Sequence, residues 1–290
     1  SSYACAIPGI MATRTIANPR ERLITILVAP LASCSARLPV YVMMIGVLLP
    51  GGSGGVWMKV AFMLGLYALG TVGMFLFAWL FHRRLRSGTG STMILELPLY
   101  KVPALRAVLL RLWSRARVFI TQAGTVILVI SILLWATTSY PKPDAGDDTD
   151  RLTQSIAGQL GKQIEPLIEP LGYDWKMGIG LIASFAAREV FVSTMSILYR
   201  ADDPGEEGTR PLQTILREQK RADGSPLFNT KTCLSMLVFY VFAMQCMATL
   251  AITRRETNSW KWPLFQFGYL TVTAYLAALL VYQGAGLLGY

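Results

Sequence analysis

From Val118 to Tyr140 the chain carries no charged residue, and the same holds from Thr232 to Thr253 and from Trp262 to Tyr290. Coiled as a helix rising about 1.5 Å per residue, each stretch reaches across the roughly 30 Å of hydrocarbon in a bilayer. Val56 to Phe81, with Lys59 near one end, and Met177 to Tyr199, apolar apart from Arg188 and Glu189, read as two further spans. Leu23 to Leu49 is a sixth. Pro30, Arg37 and Pro39 interrupt it, so it is expected to be a broken or re-entrant helix, which lipid tolerates only where protein or a water-filled cavity covers the backbone. Composition agrees: 53% of the 290 residues are hydrophobic and only 15% charged, more apolar than a water-soluble domain requires. The expected fold class is all-α, a polytopic transmembrane helical domain with broken helices.

Charge placement orients the spans. Between His82 and Arg117 there are eight Lys or Arg against the single acid Glu96, which marks the segment as cytoplasmic; Pro141 to Asp174, with seven acids and three bases, is expected to face outward. Simple alternation then puts Arg14 to Arg22 inside, the glycine-rich 51–55 outside, Arg200 to Lys231 inside and Arg254-Arg255-Glu256 outside, the last against the positive-inside rule. Within the basic segment, Leu105, Val108, Leu109 and Leu112 follow helical spacing while Arg106, Arg111, Arg115 and Arg117 take other positions. A helix on the inner leaflet and a helix packed on the ends of the spans both fit that pattern. The net charge of +10 would suggest nucleic acid in a soluble protein; distributed over membrane-flanking loops it does not. A basic n-region and a cleavage site are missing before the first apolar run, so insertion is expected to use the spans themselves.

The chain also repeats itself. ASCSAR (Ala32 to Arg37) matches ASFAAR (Ala183 to Arg188) at four of six positions, and MATRTIANPRE (Met11 to Glu21) resembles MATLAITRRE (Met247 to Glu256), each trailing a cysteine. Paired broken segments in two halves predict an inverted-repeat transporter core, with the arginines of the second copy opposite those of the first. The ASxxAR element follows the cysteine motif in one half and precedes it in the other.

The four cysteines, Cys5, Cys34, Cys233 and Cys246, have neither CxxC spacing nor the pattern of a disulfide framework. A cysteine in an apolar helix is ordinarily a small buried hydrophobe, which is the reading for Cys233. Cys34, beside Ser33, Ser35 and Arg37 in the broken segment, is open to either role. The single His82 cannot build a haem or zinc centre.

The stretches ACAIPGIMATR, APLASCSARLPVYVMM, LELPLYKVPALRAVLLRLWSRA, AGTVILVISILLW, GIGLIASFAAREVFVST, CMATLAITRRETNSWKW and YLAALLVYQ closely resemble, in order and over nearly the whole chain, the membrane half of the bacterial ferrous iron transport protein B family. The resemblance implies a single transmembrane transport domain over 1–290. Gate 1 and the broken segment would occupy 1–55, the basic cytoplasmic interfacial helix 82–117, and the second half with Gate 2 175–290. It further implies Fe²⁺ uptake across a bacterial cytoplasmic membrane, with Cys5 and Cys246 in the two Gate motifs. Partners implied are Fe²⁺, the lipid bilayer, a cytosolic GTPase domain of the same protein, small accessory Feo proteins and a homo-oligomer, with no nucleic acid and no prosthetic group. Members begin with the GTPase domain, and no GxxxxGK[ST] occurs in this chain, so it looks like the membrane portion of such a protein and not an enzyme in itself. The family's second Gate commonly has Pro before its cysteine, where this chain has Gln245, whose amide oxygen is an alternative ligand.

The chemistry fits the resemblance. A divalent cation entering hydrocarbon needs ligands to replace its water, and Fe²⁺ accepts sulfur and carboxylate. Pro8-Gly9 is expected to break the helix and free carbonyls near Cys5. Glu189 is expected as a transient ligand or proton acceptor, and Arg188 as partner of an acid or cap of broken-helix carbonyls, because charges near a bilayer centre face cavities and hold partners. Two other classes are weighed: a nucleoside or organic-solute carrier on a related core, against which the gate sulfurs speak, and a membrane thiol redox protein, for which dithiol spacing is lacking.

Overall fold

The computed structural model describes residues 2–49, 55–85, 104–110, 112–114, 156–185, 188, 190–200, 211–221, 224–244 and 246–287, with isolated positions at 117, 121, 128 and 132. The stretch Val118–Tyr140, the acidic loop 141–150 and much of 82–117 therefore lie largely outside the described residues. Of the interfacial helix, 105–110 is helical, with Leu105, Leu109 and Leu110 exposed.

The helices named here are α1 (Ala6–Ala12), α2 (Pro19–Val28), α3 (Leu38–Leu48), α4 (Val56–Arg84), α5 (Ile156–Ile168), α6 (Trp175–Ser184), α7 (Val190–Arg200), α8 (Leu212–Glu218), α9 (Thr230–Phe242), α10 (Met247–Thr257) and α11 (Lys261–Leu287). Among the described residues, four helical stretches are long and apolar enough to cross a membrane: Pro19–Leu48, Val56–Arg84, Thr230–Thr257 and Lys261–Leu287. The first and third are each two helices in line with a break between them, α2 to α3 and α9 to α10. The break expected within Leu23–Leu49 falls at Ala32–Cys34, after the 3₁₀ turn Ala29–Leu31. The second is present although Gln245 stands where the family has Pro.

One end of the molecule gathers arginines. Arg14 and Arg22 both pair with Glu256, and Phe81 near the end of α4 meets the Phe265 and Tyr269 rings of α11. The far end holds the other termini: Arg217 Nε donates to the Val47 carbonyl at 2.9 Å, Arg221 Nη2 to the Gly172 carbonyl at 2.8 Å, and Gln283 Nε2 to the Pro170 carbonyl. At Gly172, φ is +79° and the Tyr282 ring packs where a Cβ would stand, so only glycine serves there.

Met177 to Tyr199 does not cross from end to end. Asp174 caps α6 by accepting the Met177 N–H at 2.8 Å and also accepts the Tyr199 hydroxyl at 3.0 and 3.1 Å, so the start of α6 and the end of α7 lie side by side. Burial pushes the Asp174 carboxyl above its usual range, against the pull of these two donors. The segment is a re-entrant hairpin with Phe185 and Arg188 toward its tip, at mid-depth. Charge alternation misses this because a hairpin has the composition of a span but returns to its own side. The correction reverses two placements: of the segment Arg200 to Lys231, the described residues 211–221 and 224–231 join the far end, and Arg254-Arg255-Glu256 joins Arg14 and Arg22. The apparent breach of the positive-inside rule disappears.

An inverted repeat is present in a different register from the one the motifs suggested. α1 runs from mid-depth to the arginine end, α2–α3 from the arginine end to the far end, and α4 back again. α7 runs from mid-depth to the far end, α9–α10 from the far end to the arginine end, and α11 back. Order is kept and direction reversed. The two cysteine motifs, α1 and α10, are adjacent parallel helices rather than copies, and ASCSAR touches ASFAAR through Arg188 and Cys34. The shared sequence marks spatial neighbours and not symmetry mates, which is why the element order of the two motifs does not match.

A broken helix leaves carbonyls without partners. Arg37, fully buried, donates through Nη2 to the Pro30 carbonyl at 3.1 Å and through Nη1 to the Leu31 carbonyl at 3.3 Å and the Ser33 hydroxyl at 3.1 Å. Arg37→Met is predicted to cost about 3 kcal/mol through stranded carbonyls, read as a lowered Tm in detergent, with Arg37→Lys intermediate; an unchanged Tm contradicts the pinning role. Single cysteines at exposed Ser225 and Arg255 are predicted to react with an impermeant maleimide from opposite sides, and same-side labelling contradicts the re-entrant hairpin.

Candidate functional site

The breaks and the hairpin tip converge. Ser35 Oγ donates to the Ala4 carbonyl at 2.9 Å, tying the first break to the start of α1. Met247 N–H donates to the Phe185 carbonyl at 3.1 Å, tying the second break to the hairpin tip. Arg188 joins the halves: Nη2 donates to the Ala243 carbonyl at 2.9 Å and Nη1 contacts Cys34 Sγ at 3.9 Å.

α4 fixes the depth. A Cβ on Gly70 would lie 2.7 Å from Ser33 Oγ and 3.3 Å from the Leu31 carbonyl, and one on Gly73 2.6 Å from the Phe242 ring. These glycines let α4 approach both breaks closely, and Thr71 bonds the Tyr3 hydroxyl at 2.7 Å. Gly70 is the midpoint of Val56–Arg84, about 21 Å from either end at helical rise. The junction therefore sits at the centre of the span.

Three of the four cysteines are there, each in the residue before a helix begins: Cys5 before α1, Cys246 before α10 and Cys34 before the 3₁₀ turn Ser35–Arg37, all with extended backbone. None caps its helix with its side chain. At α2, α6 and α9 this position carries Asn18, Asp174 and Asn229, which do, as helix stability favours. Sulfur thus occupies positions where an oxygen would be the stabilising choice. All three are partly buried, whereas Cys233 is fully buried within α9.

The expected helix break at Pro8-Gly9 is not found. Both lie in the first turns of α1, where the missing proline N–H has no intrahelical partner to lose, and the break is at Cys5 itself. The Ala4 carbonyl is engaged by Ser35, so what faces Cys5 is the N–H end of a helix. Such ends attract anions, and a cation reaches this junction only with ligands that carry negative charge, as a thiolate does. Ser33 is buried and bonded to Arg37. Glu189 and Gln245 lie outside the described residues. Among the described residues no three His, Cys, Asp or Glu side chains come close enough to hold a metal ion together, so the sulfurs share a level without forming a cage.

Sequence reasoning gives Arg37, Gly70, Gly73 and Glu256 no role at the site. A charge inside an interrupted apolar segment was the available signal for Arg37; nothing local marks the glycines, whose role depends on what α4 packs against.

Residues 1–48 and 120–260 match the Gate family, described as Nucleoside recognition, and residues 63–115 match the family described as Ferrous iron transport protein B C terminus. The chain is 43% identical over 98% of its length to the Fe(2+) transporter FeoB of Leptospira interrogans serogroup Icterohaemorrhagiae serovar copenhageni, covering 42% of that protein. It is 41% identical over 100% of its length to the Fe(2+) transporter FeoB of Leptospira biflexa, again covering 42%. It is 33% identical over 97% of its length to an Fe(2+) transport protein A/Fe(2+) transporter FeoB fusion protein of Porphyromonas gingivalis, covering 36%. The chain thus spans about two fifths of the length of the curated relatives it matches. No solved structure matches. With its Gate regions on either side of a FeoB C-terminal segment, the chain belongs to the Gate family, as a membrane domain of the ferrous iron transport protein B kind.

Proposed function

We propose that this multi-pass chain is the transmembrane permease portion of a ferrous iron uptake transporter of a bacterial cytoplasmic membrane, and that Fe²⁺ crosses at the junction of the two broken helices and the hairpin tip. The observation that carries the reading is the placement of Cys5, Cys34 and Cys246 at that junction, each heading a helix it does not cap. The names of the relatives support iron as the substrate. Nucleoside recognition is the printed description of the Gate family, but sulfurs at mid-depth suit a soft-accepting metal ion better than a nucleoside.

In this reading the sulfurs are successive ligands. Conduction needs sites weak and numerous enough for the ion to leave, and partly buried cysteines at one depth, without a preformed cage, meet that need. Arg188 and Arg37 hold the breaks open by occupying their carbonyls. Glu189, next in sequence to Arg188, supplies an oxygen ligand or takes a proton, and Gln245 offers an amide oxygen beside Cys246. The chain performs no chemistry on Fe²⁺ and holds no prosthetic group. A GTPase domain and small Feo proteins act with it; the fusion of an Fe(2+) transport protein A to a relative supports the latter.

Cys→Ser keeps size and polarity but removes the soft, ionisable donor. In the complete transporter, Cys5→Ser and Cys246→Ser are predicted to lower ⁵⁵Fe²⁺ uptake at least about tenfold per membrane-inserted molecule, Cys34→Ser to lower it comparably, and Cys233→Ser to leave it near wild type. Wild-type uptake by the Cys5→Ser, Cys246→Ser double variant would end the sulfur route.

A further inference from the structure

Arg14, Arg22 and Glu256 form an ionic cluster. Glu256, near the end of α10, receives Nε and Nη2 of Arg14 on its carboxylate, Nε at 2.9 and 3.0 Å, and Nη2 of Arg22 at 2.7 Å. The Glu256 side chain is 2% exposed, those of Arg14 and Arg22 54% and 31%. A carboxylate so enclosed, with a forked guanidinium on both oxygens and a second arginine beside it, is a more directional tie than a single exposed pair.

The cluster joins the inverted halves. Arg14 follows α1 and Arg22 lies in α2, both in the first half; Glu256 belongs to the second. α1 and α10 each begin at a junction cysteine, Cys5 and Cys246, and run side by side to this cluster. Between cysteines and cluster, Ile10 of α1 packs with Ile26, Ala29 and Ile252, the first three buried. Two layers thus separate the junction from the arginine end: an apolar one, then the ionic one. The far end is built differently. There Arg217 holds the end of α3 through the Val47 and Gly46 carbonyls.

We propose that Glu256, held by Arg14 and Arg22, is the gate residue of the arginine end: its carboxylate keeps α1 against α10 and closes the path from the cysteine junction to that face. This rests on the reading that the ion route passes Cys5 and Cys246. Opening requires α1 and α10 to part, and of the two ties between them, the apolar contact of Ile10 with Ile252 and the ionic cluster, the ionic one responds to a change of charge. Glu256→Gln removes the charge and keeps the shape, so it weakens closure at both arginines. Arg14→Gln removes one partner, half exposed, and leaves Arg22 in place.

The test measures reaction of an impermeant methanethiosulfonate with Cys5 or Cys246, each the sole cysteine left, in sealed vesicles of known orientation. The rate from the arginine side is expected to rise roughly tenfold in Glu256→Gln and less in Arg14→Gln, with the rate from the far side unchanged. Equal rates in wild type and both variants overturn the proposal, and so does a rise of the same size from both sides, which signals general loosening. If Glu256→Gln fails to insert, the exposed Arg14→Gln decides by the same criteria. No iron enters the assay, so a gate that opens as expected while Cys5→Ser transporters still take up Fe²⁺ refutes the sulfur route and leaves the gate standing.

Discussion

A backbone carbonyl released by a broken helix at the middle of a membrane span has no water to bond, and the structure is arranged around meeting that demand. Arg37 serves the first break from within its own segment, and Arg188 serves the second from the hairpin tip. Around these arginines α4 presses its glycine face onto both breaks. Gln266 and Tyr269 of α11 donate to the Ile26 and Leu27 carbonyls on the side of the first break toward the arginine end. Once such donors exist, backbone and side chains at mid-depth are free to line a path instead of completing a helix.

That arrangement explains where cysteine appears. Residues that begin a helix ordinarily supply an oxygen to its free N–H groups, as Asn18, Asp174 and Asn229 do near the two ends of the molecule. At the three starts gathered at mid-depth a thiol stands instead. Local rules broken together, at one place, mark a site under a demand other than stability. The positive surroundings, helix N-termini and guanidinium groups, disfavour a bare cation and favour anionic groups.

The spans were legible because hydrophobic length is a direct physical requirement of the bilayer; Val56–Arg84 and Lys261–Leu287 match the apolar stretches within a few residues. The first break was legible from Pro30, Arg37 and Pro39. The re-entrant course of Met177 to Tyr199 was not, because span and hairpin place the same apolar residues in the same lipid. What separates them is one tertiary contact, Tyr199 to Asp174. That single reversal carried with it the side assigned to Arg254–Glu256 and the pairing of the repeats. Of the candidate site, Cys5 and Cys246 were singled out by motif context, while Cys34 stood open to either role. Their common depth was not, since it depends on how two inverted halves meet.

The central claim is that Fe²⁺ is handled by sulfur at the junction of the breaks. Anomalous scattering at the iron edge, from crystals of the protein soaked anaerobically with Fe²⁺, tests it directly. The account predicts an iron peak at mid-depth beside Cys5, Cys34 or Cys246, lost when those residues are replaced by Ser. An iron peak held wholly by carboxylates at either end of the molecule, with none at the junction, would contradict it.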